Sequence, residues 1–220
     1  MRHLPSDKYN IAWFKLAECV ARGEKERALA VYRLLAHSLA DRALARQLEG
    51  DLLWSFNDEQ AVQKYYEAGL LYQKDQRDLQ AAGLYEHVIN LAPGSETYLT
   101  ALVNVYKKIK STSKLCAYGA ELAALLLEKN KQDEVQSLLT GLEQHLSSVE
   151  NVILYSGFIT HLIRRSYNDK GRVLALINTV LDKASMHDDP KLLSQFLATL
   201  QALDHQYYQH AFDYLANRTA

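Results

Sequence analysis

Apolar residues recur along this chain at intervals of three and four. Leu99, Leu102, Val103, Tyr106 and Ile109 form one such stripe, and Leu115, Tyr118, Leu122, Leu125 and Leu126 the next. Val135, Leu138, Leu139, Leu142 and Leu146 follow, then Val152, Tyr155, Ile159, Leu162 and Ile163. This spacing sets the apolar side chains on one face of a helix and leaves the opposite face polar. Continued over the whole chain, it predicts helices at 9–22, 25–38, 41–55, 58–74, 77–91, 95–110, 113–129, 132–146, 149–166, 170–185, 190–202 and 205–217. No alternating run bounded by turn residues marks a strand. Links of roughly two to six residues between helices of similar length make neighbours antiparallel.

The breaks carry start and stop chemistry. Asn57 and Asp58 precede one helix, Pro93-Gly94 ends another, and Ser95 with Glu96 suits the next N-terminus. Asn168, Asp169 and Gly171 mark a further link, and Asp189 before Pro190 reads as an N-cap with proline in the first helical position. The chain has 9 Gly and 3 Pro in 220 residues, few enough to favour long helices and short links.

One stretch carries a more specific pattern. Tyr65, Ala68-Gly69, Tyr72, Ala81, Tyr85, Val88 and Pro93 fall in the spacing of a tetratricopeptide repeat (TPR), which this stretch resembles. In that family the small pair lets the second helix approach closely, the small residue early in the second helix does the same, and aromatics fill the space between. A weaker match covers Trp13, Leu16, Ala17, Val20, Ala28, Tyr32 and Leu35. Gly50 followed by Ala61, Tyr65 and Ala68 gives a second, overlapping register, so helix 58–74 fits either place in a hairpin. Beyond residue 96 the motif decays; Leu99, Leu102, Val103 and Tyr106 keep the first-helix spacing, but Gly119 and Leu122 match a second helix poorly. The resemblance implies an all-α, right-handed α-solenoid of about six antiparallel hairpins in one domain spanning 1–220. It is TPR-like over 9–110 and degenerate over 113–202, with a capping helix at 205–217.

Charge and cysteine content narrow the function classes. Lys and Arg total 25 against 26 Asp and Glu, a formal net charge of -1, so no global field draws in nucleic acid or an anionic membrane. Cys19 and Cys116 each sit in an apolar helical pattern and read as reduced core thiols. Residues 1–10 are polar with no apolar run behind them, and no stretch nears the roughly 18 apolar residues of a membrane span; a cytoplasmic protein is the expectation.

Catalytic chemistry finds no foothold in the spacing. His205 and His210 are five apart, off the geometry of a helical metal pair. No nucleophile elbow, phosphate-cradling glycine loop or dinucleotide fingerprint occurs. Carboxylate pairs such as Asp58-Glu59 and Asp188-Asp189 sit at helix starts, where the macrodipole accounts for them. No catalytic, cofactor or metal residue is therefore assigned, and the chain is expected not to be an enzyme. Two basic patches, Lys107, Lys108, Lys110 and Lys114, and Arg164, Arg165, Lys170 and Arg172, lie at predicted helix ends.

The family resemblance implies a protein or peptide partner held on a concave surface. Its groove positions fall on Tyr66, Leu70 and Gln73 in one unit and Asn104, Lys107 and Lys108 in the next. Some members grip an acidic chaperone tail with lysine and asparagine. Here those positions are Tyr66 and Leu70, then Thr100 and Asn104, and only the asparagine matches. A scaffold, adaptor or chaperone is the expectation, with a ligand- or peptide-sensing regulator as the alternative. In the last helix, Tyr208, Phe212 and Leu215 are read as the inward stripe. Tyr207 and Tyr214 then face outward as an association surface for a partner or a second copy.

Overall fold

A computed structural model describes residues 5–187 and 190–219, with side chains at 11–187 and 190–218. The N-cap reading of Asp189, and the Asp188-Asp189 pair, lie outside the described residues. Among them the chain is all α-helix, with no strand: α1 (Pro5–Ala21), α2 (Lys25–Ala36), α3 (Arg42–Ser55), α4 (Gln60–Lys74), α5 (Asp78–Leu91), α6 (Glu96–Ile109), α7 (Thr112–Glu128), α8 (Gln132–Glu143), α9 (Ser148–Arg164), α10 (Lys170–Ser185), α11 (Pro190–Leu203) and α12 (His205–Thr219). Among the described residues, the helices of each unit pack on helices one or two places away in the chain, the packing order of an α-solenoid. No helix among the described residues is long and apolar enough to cross a membrane. The chain divides after Tyr98 into two compact units.

Six of the links share one geometry. Gly23, Asn57, Gln76, Lys110, Asn130 and Ser166 all have positive φ, between 54 and 71°. The residue after each donates its N–H to the carbonyl five positions back: Glu24 to Cys19, Asp58 to Leu53, Arg77 to Tyr72, Ser111 to Tyr106, Lys131 to Leu126 and Tyr167 to Leu162. The positive-φ residue itself bonds three back, as Asn57 does to Trp54. These are Schellman caps, which satisfy the last carbonyls of a helix and reverse the chain in two or three residues. Their spacing alternates between long intervals and short ones of 19 and 20 residues, Asn57 to Gln76 and Lys110 to Asn130. Gly23 and Asn57 are 34 residues apart, as are Gln76 and Lys110, and Asn130 and Ser166 are 36 apart.

In the first unit α1 packs on α2, and α4 packs on both α3 and α5. Two glycines set these approaches. A Cβ at Gly50 would stand 2.7 Å from the Tyr65 ring, and one at Gly69 would stand 2.7 Å from Tyr85 Cζ and closer still to Cε1. Tyr65 and Tyr85 are both buried. The two overlapping registers of the sequence are thus both realised in packing: α4 offers a ring to the glycine of α3 and a glycine to the ring of α5. Loops are tied across hairpins as well. Lys25 Nζ meets Asp58 Oδ2 at 2.5 Å, and Arg77 meets Asp41 at 2.5 Å.

In the second unit α7 packs on α8 and α9, α9 on α10 and α11, and α12 on α10 and α11. That order makes three hairpins, α7–α8, α9–α10 and α11–α12, with their first helices in sequence. Gly119, a poor second-helix match in the sequence, belongs to the first helix of its hairpin: its absent side chain makes room for Leu142 of α8 and Leu154 of α9. Gly157 brings α9 equally close, a Cβ there meeting Ala120 at 3.1 Å. α7 is buried almost all round, from Leu115 through Leu127, as befits a helix with neighbours on several sides. Near its start the Tyr118 ring lies parallel to that of Tyr106 on α6, with centroids 5.7 Å apart.

Polar bonds cross from hairpin to hairpin at 32 to 40 residues of separation. Cys116 donates to the Glu150 carbonyl, Arg165 pairs with Glu128, and Lys183 pairs with Glu143. Tyr214 and Arg218 reach Asp182, and His210 meets Asn178. Burial pushes the Cys116 thiol up to about 11, so it is inert at neutral pH. Cys19 is likewise a buried free thiol.

The last helix departs from the sequence expectation at two of its rings, while Tyr208 and Leu215 are half-buried. Tyr207 is buried, at 9% exposure, and Tyr214 is partly buried with its hydroxyl on Asp182 at 3.0 Å. Phe212, expected inside, is 54% exposed. The reason is the partner helix: α10 presents Asp182 and Asn178, and their hydrogen bonds with Tyr214 and His210 fix the rotation of α12. Tyr207 is therefore a packing residue of the monomer, and Tyr214 stays half-buried with its hydroxyl on Asp182.

Candidate functional site

α4 is apolar on more than one face. Its inner stripe, Ala61, Tyr65, Ala68, Gly69 and Tyr72, is buried against α3 and α5. A second stripe, Tyr66, Leu70 and Gln73, runs at i, i+4 and i+7 and is only partly covered. Leu70 is 45% exposed. The Tyr66 ring is half-buried, 5.7 Å from Tyr85 and 5.0 Å from Tyr98 in the first turn of α6. Gln73 accepts a 2.8 Å hydrogen bond from the Tyr85 hydroxyl through Oε1. Burial raises the Tyr85 phenol well above its ordinary value, so it remains a donor at any physiological pH. The structure thus groups these three groove candidates on a platform whose rings are held from behind.

Asn104, Lys107 and Lys108 lie on α6 in the other unit, at i, i+3 and i+4 on one helix face. Asn104 and Lys108 are exposed, and Lys107 is half-buried. Of the second basic patch, Arg165 is committed internally. It binds Glu128 and Glu121 on α7, and burial raises the Glu121 carboxyl above the usual range while Arg165 draws it down.

Several clefts open on the first unit, among them one of about 480 Å³ between α1 and α2 beside Cys19. Another, of about 430 Å³, lies between α3 and α5 over Tyr65. Its polar groups are already engaged, with the Tyr65 hydroxyl on Asp51 at 2.9 Å and the Tyr72 hydroxyl on Gln47 at 2.8 Å. The His87 ring stands edge-on to Tyr65. These phenols are donors to fixed partners and lack the nucleophile-and-base arrangement that group transfer needs.

A further cleft, of about 460 Å³, lies where α2 turns into α3 beside α4. Ala36, Leu39 and Leu71 give it an apolar floor, and Arg33, His37, Arg42 and Arg46 surround it. Sequence reading passed over this site. Its arginines are spread over two helices and a link, so they form no run, and only the tertiary turn gathers them. The signal that was present is Arg42, a cation in the first turn of a helix, where the macrodipole disfavours it.

Among the described residues no group of three or more His, Cys, Asp or Glu gathers as a metal site. His210 is bonded to Asn178 and the His205 ring lies against Tyr208. A scan against protein-family models finds no match for this chain, and a search of curated proteins finds none either.

Proposed function

We propose that this protein is a non-catalytic, TPR-like helical-repeat scaffold or adaptor that binds a protein or peptide segment. The observation that carries the reading is the second stripe of α4. A surface helix needs one apolar face for its core, and α4 has that face fully used by Tyr65, Ala68 and Tyr72. Leu70 and the edge of Tyr66 are surplus to folding. They are also pre-organised, since Tyr66 rests on two rings and Gln73 is held by Tyr85. Rigid aromatic anchors with little rotamer entropy left to lose are what a peptide-binding surface requires. The two 34-residue intervals, Gly23 to Asn57 and Gln76 to Lys110, support the repeat reading, because they equal the length of the family unit, with single-helix intervals of 19 and 20 residues between the long ones.

The test is a photo-crosslinking amino acid at position 70 of the full chain, in native lysate. The expected result is a discrete crosslinked partner that is lost when the remaining chain carries Tyr66→Ala, with the thermal melt within a few degrees of the parent. Crosslinking that stays diffuse, or survives Tyr66→Ala unchanged, rules out this surface as the binding site.

A further inference from the structure

We infer that the cleft between α2 and α3 is a second, electrostatic docking site, and that its occupant is an acidic peptide segment carrying an aliphatic side chain next to its carboxylates. The inference rests on the peptide-binding reading above and adds the chemistry of the partner. The charges around the cleft divide into two sets. Arg46 is neutralised: it binds Glu49 at 2.7 Å and Glu67 at 3.2 Å, and Lys64 closes the set on the same two carboxylates. Arg33 and Arg42 have no ion pair among the described residues, both are exposed, and His37 stands between them on the link. Two guanidinium groups are left over at the mouth of a cleft whose floor is Ala36, Leu39 and Leu71.

Local helix electrostatics explains only half of this. Arg33 lies in the last turn of α2, where a cation is favoured. Arg42 occupies the first position of α3, the positive end of that helix, with no acidic residue in the turn. Its placement lacks a local reason and acquires one from a bound anion. The apolar floor selects against a free inorganic ion, which would leave Leu39 and Leu71 uncovered. The α3 N-terminus selects against phosphate for a second reason. Asp41 already accepts from the Leu44 amide at 2.9 Å and binds Arg77, so the amides that would cradle a phosphate face a carboxylate. Separate carboxylates on an extended peptide reach the two arginines individually, each by a bidentate contact, while the aliphatic side chain between them covers the floor.

The experiment is fluorescence anisotropy on the full-length protein with a labelled peptide of alternating Leu and Glu. Its two controls replace Glu by Gln and Leu by Ser. Binding should need both Leu and Glu. It should weaken about tenfold or more in Arg33→Glu/Arg42→Glu, and fall steeply between about 50 and 200 mM salt. Arg33→Lys/Arg42→Lys should retain part of the affinity, since it keeps charge and loses the fork. Both positions are exposed, so the melts of these variants are expected to match the parent. Equal binding by the charge-reversed variant, competition by inorganic phosphate alone, or binding only of a phosphorylated peptide each overturns the inference. Position-70 crosslinking that persists in Arg33→Glu/Arg42→Glu leaves the adaptor reading standing by itself, so the two failures are told apart.

Discussion

Gly69 has no space for a methyl group. The nearest atoms to a Cβ there belong to the Tyr85 ring, which is fully buried and hydrogen-bonded at its far end to Gln73, so the ring cannot swing away. Alanine ordinarily stabilises a helix by about 1 kcal/mol over glycine. At Gly69 overpacking should reverse the sign, giving a net loss of about 1–3 kcal/mol for Gly69→Ala, and Gly50→Ala should follow it against Tyr65. Gly83, on α5, has nothing within 4 Å of where a Cβ would stand. The same change there should gain about 0.5–1 kcal/mol. Urea titration of the three variants checks the signs, and a destabilising Gly83→Ala or a neutral Gly69→Ala contradicts the packing. Gly69 was legible in the sequence because the repeat spacing assigns it a mechanical job. Arg42 and Arg33 were not, because a residue's missing partner is a property of three-dimensional surroundings and leaves no periodic trace.

Among the elements, α3 and α12 show how tertiary partners complete what a helix begins. Asp41 caps α3 and also holds Arg77 from the link after α4. The Leu44 amide, and after it Arg77, hold its carboxyl below the usual carboxylate range. A depressed folded value means the contribution is complete above the unfolded pKa, near about 4, and is lost as pH falls through the folded one. Asp41→Asn should therefore flatten the acid limb of stability below about pH 4. Asp41→Ala should cost about 1 kcal/mol at neutral pH through the lost cap. Thermal melts from about pH 2 to about pH 7 measure both. On α12 the aromatics come in adjacent pairs, Tyr207-Tyr208 on one turn and Phe212 close to Tyr214, so a period of 3.6 fits either face. The deciding groups, Asp182 and Asn178, lie 32 residues upstream. Tyr207→Ser is expected to cost about 3 kcal/mol as a buried aromatic lost, and Phe212→Ser about 0.5 kcal/mol or less. Comparable melts for the two would return α12 to the opposite rotation. The helix boundaries themselves were readable to within a few residues, because the apolar stripes mark them and side-chain caps at Asp41, Ser147 and Asp169 fix three of the starts.

At the scale of the molecule, the sequence could place the helices but could not pair them. α4 fits two frames because it does pack on both neighbours, and in the second unit the hairpin frame is carried by Gly119, Gly157 and the ladder of long-range polar bonds. Those bonds span close to one hairpin each, and Lys183 to Glu143 or Arg165 to Glu128 holds one hairpin to the one before it. That spacing has a mechanical consequence. If the chain is pulled from its two ends, such links are loaded one after another in a zipper geometry, unlike the clasped strands of a shear-resistant sheet. Each hairpin released lengthens the tether by about 120 Å, the extended reach of some three dozen residues. In an optical trap the second unit should give way at low force in steps of about that size. Lys183→Ala should merge or lower one step and leave the others. A protein built this way yields to tension gradually, as a spring whose coils can be taken up and returned one at a time.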